Sequence, residues 1–148
     1  MTSAPEFRDQ PSSDDIKAVL RHVFESQIPN YGDYNLVCAG PGGDGAETYY
    51  VVGYRWRPAE LVFAPFDPMT LAGLEAPTAV NSTNLSHTEE VRSGDYEVGT
   101  NTGRLFRFRV LATAPLPEIG DGGDLRIIEQ AGDLEDYSAF LDHFLTLA

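Results

Sequence analysis

The chain has 148 residues, 42% of them hydrophobic, and a formal net charge of -13. This length and apolar content fit one folded domain, and the charge repels phosphate backbones and anionic lipid, so we expect no nucleic-acid and no membrane partner. No segment approaches the ~20 apolar residues of a membrane span, and no basic segment followed by an apolar run opens the chain. We therefore expect a cytoplasmic protein.

The N-terminal part predicts an arm followed by a helix. Residues 1–11 hold two prolines and no apolar period, which predicts a flexible arm ahead of a single domain at 12–148. The next segment has the three-four spacing of an amphipathic helix, capped by Ser12 or Ser13 and ending at Ile28, because Pro29 disfavours helical backbone before it. Its apolar positions are Ile16, Val19, Leu20, Val23, Phe24 and Ile28.

The middle of the chain has the period of two that is typical of strands. Short β-branched and aromatic runs predict strands over 34–39, 48–57, 60–66, 95–99, 104–112 and 125–130. Residues 67–94 are rich in proline and small polar residues, and predict a connection with a helical turn near 69–74 and a strand near 78–81.

The C-terminal segment predicts a second amphipathic helix, which opens at Gly132 and Asp133. Its apolar stripe is Leu134, Tyr137, Phe140, Leu141, Phe144, Leu145 and Ala148. The connections between most strands are too short for crossover helices. The fold class is therefore expected to be α+β: an antiparallel β-meander of five to seven strands with the N- and C-terminal helices packed on one face.

Three local features favour structural roles over chemical ones. The glycine-rich segment 40–45 leads into a strand and lacks the helix of a phosphate loop, which favours a hairpin loop. The acidic segment 118–124 lacks the spacing of a calcium loop. Cys38 is the single cysteine and lies on an apolar strand, which favours a core position over nucleophilic catalysis. We expect no metal site and no cofactor.

Four of the ten basic residues stand in pairs at alternate positions of two predicted strands. Strand alternation places them on the face opposite the aromatic side chains: Arg55, Arg57, Arg107 and Arg109. Together with Trp56 they are a candidate binding surface for an anion or an acidic partner. Alternatively they are paired, since the predicted hairpin sets Glu97 opposite Arg107 and Asp95 opposite Arg109.

A second candidate site is polar. His87 lies near Glu89 and Glu90, and a histidine beside carboxylates is a candidate general base. The aromatic residues of the 48–66 hairpin favour a core, but tyrosine and tryptophan are also enriched at surfaces that bind partners.

These features support a non-catalytic protein-interaction module, chaperone-like or regulatory, that uses the aromatic and arginine-bearing sheet. The order of helix, strands and helix resembles that of small acidic secretion chaperones and related regulators. Apolar surface that two helices leave uncovered would suit a protein partner or a homodimer. The alternative is a small enzyme or small-molecule-binding protein with a pocket between sheet and helices. A third interpretation is a protein whose acidic surface masks a basic partner.

Overall fold

The computed structural model describes residues 12–28, 34–41, 48–117 and 126–147. The predicted arm at 1–11 and the predicted acidic turn at 118–124 lie outside these residues. Within the described part of the chain, no helix has both the length and the apolar character that a membrane crossing requires.

Helix α1 spans Ser13–Glu25, and its start is the predicted one. Ser12 caps it in a reciprocal pair with Asp15: the Asp15 amide donates to Ser12 Oγ at 3.1 Å, and the Ser12 amide donates to Asp15 Oδ2 at 3.3 Å. The regular helix ends before the predicted Ile28. The Ser26 hydroxyl donates to the Val23 carbonyl at 2.9 Å, a local bond that competes with continued helix.

Nine strands and a second helix follow in the described residues. The strands are β1 (Asn35–Pro41), β2 (Tyr49–Trp56), β3 (Ala59–Phe66), β4 (Thr78–Asn81), β5 (Leu85–Arg92), β6 (Asp95–Thr100), β7 (Leu105–Arg109), β8 (Thr113–Leu116) and β9 (Arg126–Glu129). Helix α2 spans Ala131–Phe144 and continues into a short 3-10 helix, Leu145–Leu147. The predicted α+β class with an antiparallel sheet is confirmed.

The strand order departs from a simple meander. The large sheet has seven strands in the order β4-β3-β2-β1-β7-β6-β5, and β8 and β9 form a separate pair. Two meanders, β1 to β4 and β5 to β7, therefore join through β1 and β7. Strand β4 occupies the predicted residues. Strand β5 was not predicted and lies within the expected connection 67–94. Its run of polar residues has no apolar period on either face, so the sequence pattern did not indicate a strand. No helix forms at the expected helical turn near 69–74; residues 67–71 form a single turn closed by the bond from the Leu71 amide to the Asp67 carbonyl, followed by a bridge between Phe66 and Gly73.

The sheet is strongly curved. Strands β3 and β7 are separated by two strands in the sheet order, which corresponds to roughly 14 Å in a flat sheet. The rings of Phe63 on β3 and Phe106 on β7 nevertheless stack with centroids 4.4 Å apart. Strands β4 and β5 are likewise joined by only residues 82–84, although they lie at opposite ends of the sheet order. The sheet therefore folds over its own aromatic face.

The helices pack on opposite faces of the sheet, so the expectation of a single covered face is wrong. Helix α2 buries Tyr137, Phe140 and Phe144 on the concave side, with Val52 and Phe63 among their neighbours. Helix α1 instead buries its stripe on the convex side, in a second core that includes Val51, Val62 and the β8–β9 pair. The physical reason is that β2 and β3 are apolar on both faces, as strands covered on both sides are.

Candidate functional site

The sheet forks at β1. The first part of that strand, Asn35 to Ala39, pairs with β2, whereas β7 pairs only with its last two residues, Gly40 and Pro41. No strand in the described part of the chain pairs with the other edge of β1 before Gly40. The edge therefore opens between the two halves of the sheet.

A side chain takes the place of a strand at one point of this edge. The Cys38 amide donates to Gln130 Oε1 at 2.9 Å, and Gln130 Nε2 donates to the Cys38 carbonyl at 2.9 Å. Gln130 Nε2 also donates to the Leu111 carbonyl at 2.8 Å. Gln130 is only 2% exposed and directly precedes α2, so these bonds fix the start of that helix against β1.

The direction of the Cys38 amide also fixes that of Leu36. In an antiparallel ladder, alternate residues turn their N–H and C=O groups toward the same side. Because Cys38 directs its groups away from β2, Leu36 two residues earlier directs its own the same way. Leu36 therefore presents a backbone donor and acceptor toward the open side of the fork.

A cleft of ≈ 590 Å³ lies on this side of β1. Its floor comes from β1 and β2, one wall from α1, and the other from the start of α2. Its lining includes Asp14, Lys17, Ala18, Arg21, Leu36, Tyr54, Gln130, Asp133 and Asp136. The cleft thus combines an open strand edge with charged walls.

The charged walls are partly self-paired. Lys17 Nζ lies 3.4 Å from Asp133 Oδ2 and links α1 to α2 across the cleft, while Arg21 pairs with Glu25 at 3.5 Å on its own helix. Three carboxylates and two cations line the cleft, so it retains a negative balance. A negative lining produces a local field that attracts cations.

Asp136 connects the cleft to the aromatic cluster on α2. It accepts a hydrogen bond from Tyr54 Oη at 2.8 Å and one from Trp56 Nε1 at 3.4 Å. Burial, followed by the bond to Asp136, raises the pKa of Tyr54 above the usual range. Trp56 also packs edge-on against Phe140, with ring centroids 5.3 Å apart. The single tryptophan of the chain therefore contacts a residue that lines the cleft.

Cys38 lies at the floor of the cleft, but its thiol is a poor nucleophile. Burial raises the pKa of its thiol to about 12, so the thiol stays protonated near neutral pH. The prediction of a buried cysteine is confirmed.

The arginine surface expected from the sequence is not a single patch. Arg55 lies at the level of the start of β1, because the residue before it, Tyr54, pairs with Asn35. Arg109 pairs with Gly40 near the end of β1. Asn35 and Gly40 are roughly 17 Å apart along the strand. Trp56 turns toward α2, whereas Arg55 turns toward the convex side, where its guanidinium lies 4.9 Å from the Tyr34 ring centroid. Arg57 is exposed in the turn after β2.

The arginines on these strands have carboxylate partners, as the pairing interpretation expected. Arg107 Nε donates to Glu97 Oε1 at 2.6 Å, and Arg109 donates through two nitrogens to Asp95, at 2.6 and 2.8 Å. The predicted register of this hairpin, with Glu97 opposite Arg107, is confirmed.

Arg55 pairs with the buried Glu60, 3.2 Å away, and Glu60 also accepts from the Asn81 side chain at 2.8 Å and from the Tyr34 hydroxyl.

The polar candidate site is only partly assembled. His87 and Glu89 lie together on β5, with His87 Nε2 3.6 Å from Glu89 Oε1. Glu90 points to the other face, where it interacts with Tyr96. Its place beside His87 is taken by Glu97 of β6, whose Oε2 lies 2.9 Å from His87 Nε2. Sequence reasoning missed Glu97 as a member because it comes from the neighbouring strand.

The cleft itself also escaped sequence analysis. Gln130 and Cys38 are separated by 92 positions, and no local pattern links them. One sequence feature points to this contact. Gln130 is a polar residue at the end of an apolar strand, directly before a helix, and a polar side chain buried there needs a hydrogen-bond partner.

No protein-family model, curated protein or solved structure matches this chain.

Proposed function

We propose that the protein is a non-catalytic interaction module that binds an extended, positively charged peptide segment of a partner protein in the cleft between α1, β1 and the start of α2. The observation that carries this proposal is the open edge of β1, where Leu36 directs its N–H and C=O groups toward the cleft. An exposed strand edge binds an extended peptide through main-chain hydrogen bonds, and the neighbouring walls select its side chains.

The length of the edge limits how much peptide can pair. The open part runs from Asn35 to Cys38, where the Gln130 side chain closes it, and covers roughly 10 Å of strand. That length accommodates about three residues of an added strand. Binding would therefore depend on side-chain contacts with α1 and α2 as well as on backbone pairing.

Charge favours a basic segment. The cleft retains a negative balance, and the chain carries a formal net charge of -13. A basic peptide would be drawn by the overall field and could pair with Asp14 or Asp136 once bound. The proposal therefore replaces the arginine surface considered from the sequence with a site of opposite charge.

A second candidate function is the binding of a small cationic molecule in the same cleft. The volume of ≈ 590 Å³ falls within the range of roughly 300–1,000 Å³ in which small-molecule sites are found. Asp136, Asp133 or Asp14 would supply a carboxylate to an amine. This ligand would not require the backbone groups of Leu36.

The test begins with a random library of short peptides displayed on phage and selected on the immobilised protein. Selected peptides are then synthesised, and their affinities are measured through the fluorescence of Trp56, which contacts Asp136 at 3.4 Å. We expect enrichment of lysine and arginine. We also expect that N-methylation of the backbone amide that pairs with Leu36 weakens binding, because it removes a main-chain donor.

A matched pair of variants locates the site. Ala18→Phe places a ring in the cleft from the exposed side of α1, whereas Ala139→Phe places the same ring on an exposed position of α2 that does not line the cleft. Loss of peptide binding in Ala18→Phe alone supports the proposal. Equal binding by both variants, or enrichment of acidic peptides, contradicts it. Binding that requires the cleft but tolerates every N-methylation would favour the small-molecule interpretation.

A further inference from the structure

A second cluster of polar side chains lies away from the cleft, on the outer face of β5 and β6. His87 Nε2, a carboxylate oxygen of Glu89 and one of Glu97 all lie within 4.8 Å of one another. We propose that these three residues form a binding site for a divalent transition-metal ion, with Zn²⁺ as the best-matched ion.

The distances suit a four-coordinate ion. Zinc binds histidine nitrogen and carboxylate oxygen at 2.0–2.2 Å, so a tetrahedral arrangement sets its ligand atoms about 3.4 Å apart. The separation of His87 Nε2 from Glu89 Oε1 is 3.6 Å, and that from Glu97 Oε2 is 2.9 Å. The first separation is already close to the tetrahedral value, and the second must widen by about 0.5 Å to admit the ion. Three protein ligands leave a fourth position for water or for a group from a partner.

The strands hold the ligands in place. Glu89 and Glu97 are direct cross-strand partners, and His87 lies two residues before Glu89 on the same face of β5. Gly99 is the cross-strand partner of His87, and a Cβ at that position would lie 3.4 Å from the His87 Cβ and 2.9 Å from Leu105 Cδ2. A side chain at Gly99 would therefore displace Leu105, the cross-strand neighbour of Gly99, before it met His87.

The electrostatics of the pair also favour a cation. Two carboxylates placed directly opposite each other on neighbouring strands repel, so Glu89 and Glu97 gain from a positive charge between them. Arg107 Nε donates to the other oxygen of Glu97, Oε1, at 2.6 Å. This bond leaves Oε2 directed toward His87 and orients the carboxylate in the manner of an outer-shell partner of a metal ligand.

Isothermal titration of the metal-free, untagged protein with ZnCl₂ at neutral pH tests the proposal, with MgCl₂ as the contrast because Mg²⁺ prefers six oxygen ligands. We expect one equivalent of Zn²⁺ to bind and Mg²⁺ to bind far more weakly. His87→Ala and Glu89→Gln should each weaken Zn²⁺ binding by at least roughly tenfold, since even the loss of an outer-shell partner costs 10–100-fold. Both residues are substantially exposed, so both variants should fold.

His143→Ala is the matched control, because His143 lies on α2 beside Trp56 and outside the cluster. Its Zn²⁺ affinity should equal that of the unsubstituted protein. Substitution of Co²⁺ for Zn²⁺ should give the strong visible absorption of a four-coordinate ion, and His87→Ala should remove it. Zn²⁺ binding that is absent, or that survives either ligand substitution unchanged, overturns the proposal.

Discussion

The side-chain amide of Gln130 bonds both backbone groups of Cys38, as the backbone of a neighbouring strand would. This contact holds the start of α2 on the edge of β1 and stops the open edge at a defined point. It joins the wall formed by the start of α2 to the floor of the cleft.

Gln130→Ala should lower the free energy of unfolding by about 3 kcal/mol, because it leaves a buried donor and two acceptors without their partner. The check is urea denaturation followed by circular dichroism. Gln27→Ala is the matched control, since its side-chain amide makes one exposed bond to the Val23 carbonyl, and it should cost less than about 1 kcal/mol. Equal effects of the two substitutions would contradict the role given to Gln130.

The curvature of the sheet predicts coupling between two distant strands. In a double-mutant cycle, Phe63→Leu and Phe106→Leu should show an interaction energy of about 0.5–1.5 kcal/mol, since their rings stack across the fold. Phe63→Leu and Ile16→Val should instead add independently, because these residues belong to cores on opposite faces. Additive effects at Phe63 and Phe106 would mean that the sheet does not fold over as described.

The buried thiol predicts a loss of stability in alkaline solution. The pKa of Cys38 rises from 9.0 in the unfolded chain to about 12 in the folded protein, so only the unfolded state gains a thiolate as the pH passes 9. Its contribution is therefore complete below pH 9 and declines above it. Between about pH 8 and 9.5, the free energy of unfolding should fall by about 0.8 kcal/mol more for the unsubstituted protein than for Cys38→Ala.

Urea titrations at several pH values measure this difference. The phenols of Tyr54 and Tyr137 ionise in the unfolded chain only near pH 10.0, and both variants keep them, so they do not obscure it. Parallel pH dependence of the two proteins would show that the thiol reaches water in the folded state.

The bidentate pair on the β6–β7 hairpin should matter more than an ordinary surface ion pair. Asp95 is only 4% exposed and accepts two bonds from Arg109. Arg109→Lys keeps the charge but not the paired geometry, and should lower the melting temperature in thermal denaturation. Arg21→Lys, at an exposed pair within α1, should cost less than about 0.5 kcal/mol. Similar losses in the two variants would argue against a structural role for the buried carboxylate.

Local periodicity in the sequence was enough to predict both helices, most strands and the pairing of Glu97 with Arg107, because each depends on neighbouring residues. Strand β5 was missed because residues 86–90 are polar on both faces and pair through their backbone. The helices were assigned to one face although the apolar runs of β2 and β3 indicated burial on both. The cleft depends on the contact between Gln130 and Cys38, which only the folded chain brings together.

The most direct test of the proposed function is amide hydrogen exchange at Leu36 by NMR, without and with a selected basic peptide. The account predicts fast exchange at Leu36 in the free protein beside slow exchange at Val37, whose backbone pairs with Val52. Peptide binding should slow exchange at Leu36 and leave Val37 unchanged. A Leu36 amide that is already protected, or that exchanges at the same rate with peptide bound, would contradict strand addition at β1.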